Sequence, residues 1–176
     1  MAHRLSKEIS NISGKVIVGT LTDPYQYAER RFRLTQMCLE VLSKGDMAVS
    51  VATKSDLVTR DSELLASLDA TVFMGISGDD TVSTMYEPGA PPFSSRLAAA
   101  ERLVDAGVRV VADLSGLEPA TEDDVRNLVS RLSEAGIRNA STVHLKSGHR
   151  MRTLPSHDMD ALVDLLSEND IGTYPS

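Results

Sequence analysis

Thiols and large aromatic side chains are scarce in this chain. Its 176 residues include one cysteine, Cys38, no tryptophan, four tyrosines and three phenylalanines. A single cysteine cannot close a disulfide within the chain, and it cannot alone supply the ligand set of a zinc or iron–sulphur site. The 176 residues taken by themselves are therefore not expected to hold a thiolate-ligated metal centre.

Long apolar runs and an excess of positive charge are also missing. No stretch approaches the roughly 18 uninterrupted apolar residues that a membrane span needs, and residues 1–14 lack the apolar core of a signal peptide. We therefore expect a cytoplasmic protein. The formal net charge of -7 argues against a general nucleic-acid-binding surface. One local basic strip, with Lys146, Arg150 and Arg152, could meet a phosphate but is more typical of a solvated face.

Short runs rich in β-branched residues recur along the chain and predict strands. Each run is bounded by Gly, Asp, Ser or Pro, as strands in parallel sheets commonly are. The five predicted strands are residues 15–21, 47–53, 70–77, 108–115 and 139–145.

The segments between these runs have apolar residues at helical spacing. Thr121 with Asp124 predicts a capped helix start, and Gly107 and Gly136 stand where helices are expected to end. A last helix is expected to begin near Ser156. The apolar positions that define the helices are Phe32, Met37 and Val41, then Leu97, Ala100 and Val104, then Val125, Leu128 and Leu132.

Alternating strands and helices predict an α/β fold with a parallel sheet. Two architectures fit this order, an open doubly wound sheet and a partial (β/α) barrel. We expect a polar N-terminal arm at residues 1–14 and a single domain at 15–176. In both architectures, ligands bind at the carboxyl ends of the strands.

Polar side chains follow every predicted strand, so the chemistry of the chain is expected at one rim of the sheet. They are Thr20, Thr22, Asp23 and Tyr25, then Thr53, Lys54 and Ser55, then Ser77, Asp79 and Asp80, then Asp113, Ser115 and Gly116, then His144, Lys146 and Ser147.

Several of these residues have a structural interpretation as well as a functional one. Lys54 could bind a carboxylate or a phosphate, or it could be a solvated loop residue. Asp23 precedes a proline and could simply initiate a turn. The acids Asp79 and Asp80, with Glu87, could form a hard-cation site but are more typical of a solvated loop, and no metal site is predicted. Cys38 is expected to be a buried, inert thiol.

Three motifs in this order resemble the spore photoproduct lyase-like branch of the radical SAM superfamily. The resemblance covers residues 15–146 and weakens from Asp113 onward. The motifs are Thr22-Asp23-Pro24-Tyr25-Gln26 with Glu29 and Leu34, then Thr53-Lys54-Ser55 with Arg60-Asp61, then Glu87, Pro88 and Pro91 before Arg96-Leu97.

The resemblance implies a partial TIM-type barrel with about five parallel strands and helices outside. It also implies a four-iron four-sulphur cluster and S-adenosylmethionine, which the family cleaves to a 5′-deoxyadenosyl radical. The family holds its cluster by three cysteines in a Cys-x3-Cys-x2-Cys loop after the first strand. This sequence has no such loop, and its counterpart of the family's second strand begins near Lys15. We therefore expect a truncated or split member that acts only with a partner supplying the cluster.

The resemblance also implies roles for five residues in binding S-adenosylmethionine. Thr20, Thr22 and Asp23 correspond to positions that receive its amino group. Lys54 corresponds to the group that pairs with its carboxylate, and Ser77 to a position that contacts the ribose or the methionyl part. These roles suit a zwitterionic ligand, which needs an acceptor, a cation and hydroxyl groups.

A missing first strand would leave the edge of residues 16–21 open, and open strand edges tend to pair. We expect that edge to be covered by a second copy, by a separate chain carrying the first strand and cluster loop, or by the folded-back arm at 1–14. The alternative function is a non-catalytic nucleoside- or protein-binding module derived from the barrel. A third hypothesis is a hydrolase or transferase on a doubly wound sheet.

Overall fold

The computed structural model describes residues 2–11, 13–76, 78–114, 121–141 and 156–174. None of the helices in these ranges is both long and apolar enough to cross a membrane. The strands are β1 (Lys15–Val18), β2 (Ala48–Thr53), β3 (Thr71–Gly75), β4 (Arg109–Asp113), β5 (Asn139–Ser141) and β6 (Gly172–Thr173). The helices are α1 (Ala2–Glu8), α2 (Glu29–Phe32), α3 (Leu34–Leu42), α4 (Ser62–Ser67), α5 (Asp80–Tyr86), α6 (Phe93–Asp105), α7 (Glu122–Glu134) and α8 (Ser156–Glu168), with 3-10 helices at Ile9–Asn11 and Asp56–Asp61.

The six strands form one sheet in which each strand pairs in parallel with the strand before it in the sequence. A doubly wound sheet reverses its strand order at a switch point, whereas the order β1-β2-β3-β4-β5-β6 never reverses. The doubly wound alternative is therefore wrong, and the partial barrel is confirmed. The sequence pattern does not predict β6 because that strand has only two residues, one of them glycine.

One face of the sheet packs against the helices. Because side chains alternate between the two faces of a strand, residues such as Ser50 and Phe73 lie on the other, inner face. There the ring of Phe73 meets Tyr174 edge to face, with centroids 5.2 Å apart. The core on the helical side includes Val49, Val51, Val72, Met74, Val110 and Ala112 from the strands and Leu39, Leu65, Leu103 and Leu132 from the helices.

The first predicted helix is in fact two helices, α2 and α3, separated at Arg33. Arg33 has a φ of 50°, in the left-handed region, which breaks the helical hydrogen bonding. Because the break re-orients the chain, Phe32 and Met37 are exposed. The prediction that Phe32, Met37 and Val41 define one apolar helix face is therefore wrong for the first two. The buried residues of α3 are Thr35, Leu39, Val41 and Leu42.

The predicted helix ends are confirmed. At the start of α7, the Thr121 hydroxyl accepts a hydrogen bond from the Asp124 backbone N–H at 3.2 Å, and the Asp124 carboxylate accepts one from the Thr121 N–H at 2.9 Å. Gly107 and Gly136 have φ angles of 80° and 73°, just beyond α6 and α7, as left-handed helix ends require. The last helix begins at Ser156, as expected.

The N-terminal arm is helical and packs against α3. Leu5 and Ile9 contact the core from this arm, so its described part joins the helical layer and forms no strand. Within the described ranges, β1 pairs only with β2, and Ile17 in β1 is 43% exposed. In those ranges, no strand covers the outer edge of β1.

Candidate functional site

Three loops at the carboxyl edge of the sheet enclose a cleft of about 530 Å³. The first loop follows β1, the second follows β2, and the third connects α5 to α6. The volume lies within the usual range of small-molecule sites, about 300–1,000 Å³. The lining residues are Asp23, Tyr25, Gln26, Tyr27 and Arg30 from the first loop, Lys54, Ser55 and Asp56 from the second, and Pro88, Gly89, Ala90 and Pro91 from the third.

Asp23 joins the first two loops. Its Oδ1 accepts hydrogen bonds from the Tyr25 backbone N–H at 2.8 Å and the Thr53 hydroxyl at 2.7 Å. Its Oδ2 accepts one from the Lys54 backbone N–H at 2.8 Å. The bond to Tyr25 is the turn-initiating contact that the structural interpretation expected, and a ligand amine at Asp23 would share oxygens that already have protein partners.

Gly19 lets the first loop run close to β2. Its φ is 100°, and a Cβ at this position would lie 2.3 Å from the Ala52 carbonyl oxygen and 2.8 Å from Cδ of Pro24. Any side chain there would push the loop away from β2. The glycine therefore fixes the approach that lets Asp23 reach the end of β2.

Lys54 lies across Gly75 and pairs with Glu87. A Cβ on Gly75 would lie 2.7 Å from Lys54 Cγ, so the glycine leaves room for the lysine stem. Lys54 Nζ is bound to Glu87 Oε1, and the Lys54 side chain is about half exposed, on the wall of the cleft. Burial alone would raise the pKa of Glu87, but hydrogen bonds and charges from Lys54 and Arg96 outweigh it and lower the pKa below its ordinary value.

Arg96 holds the third loop from beneath and is fully buried. Its Nε donates to the Pro91 carbonyl at 2.6 Å, and its Nη1 donates to the Gly75 carbonyl at 3.2 Å. The same Nη1 lies 2.5 Å from Glu87 Oε2. Its Nη2 has no hydrogen-bond partner in the described part of the chain. The Lys54–Glu87–Arg96 network therefore connects the cleft wall to the core.

A second buried network supports the first loop. The Tyr25 hydroxyl donates to Asp61 Oδ2 at 3.0 Å, and Arg60 binds both Asp61 oxygens, at 2.8 and 2.7 Å. Arg60 also binds Glu29 at 2.9 Å. Burial, followed by the Asp61 carboxylate, raises the pKa of Tyr25 far above its ordinary value. The phenol therefore stays neutral, and its hydrogen bond holds the loop after β1 in place between α2 and the 3-10 helix Asp56–Asp61.

The structure brings only part of the predicted ligand set together. Asp23 and Lys54 both line the cleft, whereas Thr20 and Thr22 are exposed, outside its lining. Ser77 lies outside the described residues. So do Ser115 and Gly116 after β4, the predicted rim residues that follow β5, and the basic strip that includes Lys146, Arg150 and Arg152.

Sequence reasoning considered Glu87 only as a third acid of the disfavoured cation site with Asp79 and Asp80, and it did not single out Arg96 as a member of a site. Glu87 and Arg96 both belong to the third motif, in which the Pro91 carbonyl accepts a hydrogen bond from Arg96 Nε. A buried arginine nine residues from a glutamate gives no periodic signal. The motif alone could have indicated the pair.

The acids of the third rim segment have structural partners. Asp79 Oδ1 caps α5 by accepting a hydrogen bond from the Val82 N–H at 2.8 Å, and Asp80 Oδ1 accepts one from the Ser94 N–H at 2.7 Å. Among the described residues, no group of three or more metal-ligating side chains lies close together.

The only cysteine of the chain is on α3. Cys38 is half-buried, and burial raises the pKa of its thiol. A raised pKa disfavours the thiolate that metal binding and nucleophilic attack require.

No protein-family model matches the chain. A curated protein of Mycobacterium tuberculosis is 28% identical over 145 residues, a match covering 77% of this chain and 43% of that protein. A protein of Methanocaldococcus jannaschii is 29% identical over 112 residues, covering 62% of this chain and 42% of that protein. Both relatives are described only as uncharacterized. The matched region thus spans less than half the length of either relative.

Several solved structures of radical SAM enzymes resemble the chain. Streptococcus suis SuiB bound to S-adenosylmethionine superposes with a TM-score of 0.68 at 13% identity, over 99% of this chain and 42% of SuiB. A spore photoproduct lyase mutant with dinucleoside spore photoproduct superposes with a TM-score of 0.64 at 13% identity, over 98% of this chain and 65% of the lyase. A radical SAM methyltransferase from Sphaerobacter thermophilus superposes with a TM-score of 0.59 at 14% identity, over 84% of this chain and 47% of the methyltransferase. At these identities the likeness concerns the fold alone, and the fold of this chain is similar to the barrels of these enzymes.

Proposed function

We propose that this chain binds S-adenosylmethionine in the rim cleft and acts with a second polypeptide that carries an iron–sulphur cluster, as a split relative of the spore photoproduct lyase-like enzymes. One observation carries the proposal. Asp23 and Lys54, which follow different strands, line the same cleft of about 530 Å³ in a radical SAM fold.

The cleft offers the groups that this ligand needs. S-adenosylmethionine presents an ammonium, a carboxylate and a sulphonium, which call for acceptors and a cation. Lys54 would hold the carboxylate and Asp23 would accept from the ammonium. Of the other residues assigned by resemblance, Thr20 and Thr22 lie outside the cleft lining, and Ser77, assigned to the ribose or the methionyl part, lies outside the described residues. Arg30 and Asp56 also line the cleft and form no ion pair within the described ranges.

An iron–sulphur cluster does not fit the residues of this chain. Cubane clusters are held by cysteine thiolates, and the chain has one cysteine, half-buried on α3 with a raised pKa. In the proposed function, thiolates outside these 176 residues hold the cluster, and we assign no step of its chemistry to residues of this chain.

Glu87 competes with a ligand for Lys54. The two side chains form an ion pair at the cleft wall, so an incoming carboxylate must replace Glu87 at Lys54 Nζ. Glu87 keeps its contact with Arg96 when that happens. Removing the charge of Glu87 should therefore strengthen binding, while removing Lys54 should weaken it.

Isothermal titration calorimetry with S-adenosylmethionine tests the proposal. Without the cluster contact we expect a dissociation constant of roughly 0.1–1 mM. Lys54→Ala should weaken binding about tenfold, since a charged hydrogen bond is lost, whereas Lys44→Ala, at an exposed loop position, should have no effect. Glu87→Gln should strengthen binding. Equal affinities for wild type and Lys54→Ala would remove Lys54 from the site, and no heat at millimolar ligand would contradict binding by this chain.

The alternative is a non-catalytic binding module derived from the same barrel. The exposed apolar residues from Ile17 to Met37 favour its protein-binding form, and its nucleoside-binding form is tested directly. Calorimetry with adenosine separates the two functions. A nucleoside module should bind adenosine and S-adenosylmethionine equally, and Lys54→Ala should change neither.

A further inference from the structure

We infer that residues 17–37 are the docking surface for a different polypeptide whose contacting surface carries carboxylates around an apolar centre. The inference deepens the proposed function, on which it rests for the existence of a partner, by naming the surface and the chemistry that would recognise it. Three observations support it.

The first observation is a concentration of exposed apolar side chains. Nine large apolar residues are exposed in the described part of the chain, and six of them fall between residues 17 and 37. Soluble proteins expose such residues singly rather than in groups. The six are Ile17, Leu21, Tyr27, Phe32, Leu34 and Met37. Ile17 pairs in register with Ser50 and so lies on the inner face of the sheet at the strand end of the segment, whereas the other five follow β1 in its loop and in α2 and α3.

The second observation is the charge of the same segment. Arg30, Arg31 and Arg33 are exposed, and none forms an ion pair in the described ranges, where Arg31 lies over the Phe32 ring at 5.4 Å. The segment has no lysine, and its two acids are occupied: Asp23 accepts three hydrogen bonds and Glu29 is buried. Arginine, methionine and aromatic residues without lysine or exposed acid are the typical composition of an interface core.

The third observation is the neighbouring strand. The segment begins in β1, whose outer edge meets no other strand within the described ranges. Inner strands of a parallel sheet are buried on both faces, whereas β1 alternates between exposed and half-buried residues. A partner that contacts the segment can therefore also pair with this edge.

The charges select the partner. In a symmetric dimer the same surface faces itself, so the three arginines would meet those of the second copy without compensating acids. A nucleic acid would satisfy the arginines but not Leu21, Leu34 and Met37, and the net charge of -7 would repel it elsewhere. An acidic, partly apolar polypeptide satisfies both groups.

Site-specific photo-crosslinking tests the inference. A benzoylphenylalanine replaces Phe32 or, as the matched control, Tyr86, an aromatic residue of similar exposure on α5, 61% against 56%. Both variants are expressed in the organism that encodes the protein, and the adduct is identified by mass spectrometry. We expect a polypeptide adduct at position 32 that is absent at position 86, with its crosslinked peptide next to acidic residues.

The identified partner is then purified and titrated by calorimetry. A variant with Arg30→Ser, Arg31→Ser and Arg33→Ser should bind roughly tenfold or more weakly. The matched variant with Arg4→Ser, Arg102→Ser and Arg126→Ser removes the same charge elsewhere and should bind as wild type does.

Each other outcome is decisive. Equal labelling at 32 and 86, an adduct with a second copy, an adduct with nucleic acid, or a partner indifferent to the three arginines would overturn the inference. A partner that passes both tests but has no Cys-x3-Cys-x2-Cys loop would leave the inference standing and contradict the proposed function. A cluster-bearing partner that crosslinks elsewhere on the chain would overturn the inference and leave the proposed function standing.

Discussion

Tyr25 and Tyr27 lie two residues apart in the loop after β1 but have opposite environments. Tyr25 is buried and its hydroxyl donates to Asp61, whereas Tyr27 is 89% exposed and makes no side-chain hydrogen bond in the described ranges. Tyr25→Phe should lower the free energy of unfolding by about 1 kcal/mol, because Asp61 loses one donor. Tyr27→Phe should leave it unchanged. Urea denaturation of the two variants makes the comparison, and equal stabilities would contradict the role of Tyr25.

The same phenol predicts a pH dependence. Folding raises the pKa of Tyr25 above its ordinary value near 10, so the neutral form is favoured in the folded state. Its contribution to stability is complete below the unfolded pKa and is lost as the pH rises above it. Wild type should therefore lose more stability than Tyr25→Phe between pH 9 and pH 11, measured by urea midpoints. Parallel losses would show that another group titrates.

Arg96 is the residue on which the third loop depends. It is fully buried and holds two backbone carbonyls and Glu87. Arg96→Met should lower the free energy of unfolding by about 2–4 kcal/mol, because the carbonyls of Gly75 and Pro91 lose their donors. The control Arg126→Met removes an exposed arginine paired with Glu122 and should change stability by less than about 0.5 kcal/mol. A small effect at Arg96 would mean that the loop re-forms without it.

At the scale of elements, Glu29 belongs to α2, but its side chain caps the N-terminus of α3. Its Oε2 accepts a hydrogen bond from the Thr35 N–H at 3.0 Å and its Oε1 accepts one from the Gln36 N–H at 3.3 Å. These N–H groups belong to the first turn of α3, where a negative charge is favourable. The left-handed Arg33 allows the chain to turn back toward this carboxylate.

Glu29→Gln should lower the free energy of unfolding at pH 7 by about 2 kcal/mol, because both the helix start and Arg60 lose a charged partner. Burial would raise the pKa of Glu29, but hydrogen bonds from Arg60, Thr35 and Gln36 hold it below its ordinary value. This stabilisation is therefore present above the unfolded pKa and is lost as the pH falls.

The difference between wild type and Glu29→Gln should accordingly shrink as the pH falls from 7 to 3 in denaturant titrations. Glu122→Gln, at an exposed position on α7, is the control and should stay within about 0.5 kcal/mol of wild type. A difference that stays constant with pH would exclude the carboxylate charge as the cause.

The two helix starts show what the sequence can predict at this scale. Thr121 and Asp124 stand three residues apart at the beginning of α7, so the capping box follows from local spacing. Glu29 caps α3 across a left-handed residue and through a tertiary ion pair with Arg60, and neither feature leaves a periodic pattern. The single long helix predicted for this region fails for the same reason.

At the scale of the whole molecule, local patterns predicted the strand positions, whereas only the family resemblance predicted the barrel order of the strands. The strands β1 to β4 contain β-branched runs, and β5 is the Asn-Ala-Ser start of the predicted run 139–145. Periodicity is local and carries no information on which strands are neighbours. The cleft could be predicted in part, because parallel strands bring Asp23 and Lys54 to one rim. The pairing of Lys54 with Glu87 could not, since it depends on how the loop after α5 folds over β3.

The thiol content makes a prediction for the intact chain. Anaerobic incubation with iron and sulphide should leave the purified protein colourless after desalting, because one half-buried cysteine cannot replace three thiolates. Absorption spectroscopy and iron analysis give the readout, and Cys38→Ser is the control for adventitious iron. A stoichiometric cluster spectrum that Cys38→Ser abolishes would show that two or more chains share one cluster.

The sequential strand order also bears on how the molecule is made. Because each strand pairs with the one before it, no part of the sheet waits for a distant segment to be synthesised, and contacts close over short stretches of chain. The sheet can therefore grow strand by strand as the nascent chain leaves the ribosome, with β1–β3 paired before α6 exists. Ribosome-bound chains arrested well beyond Gly75 should already resist protease within β2.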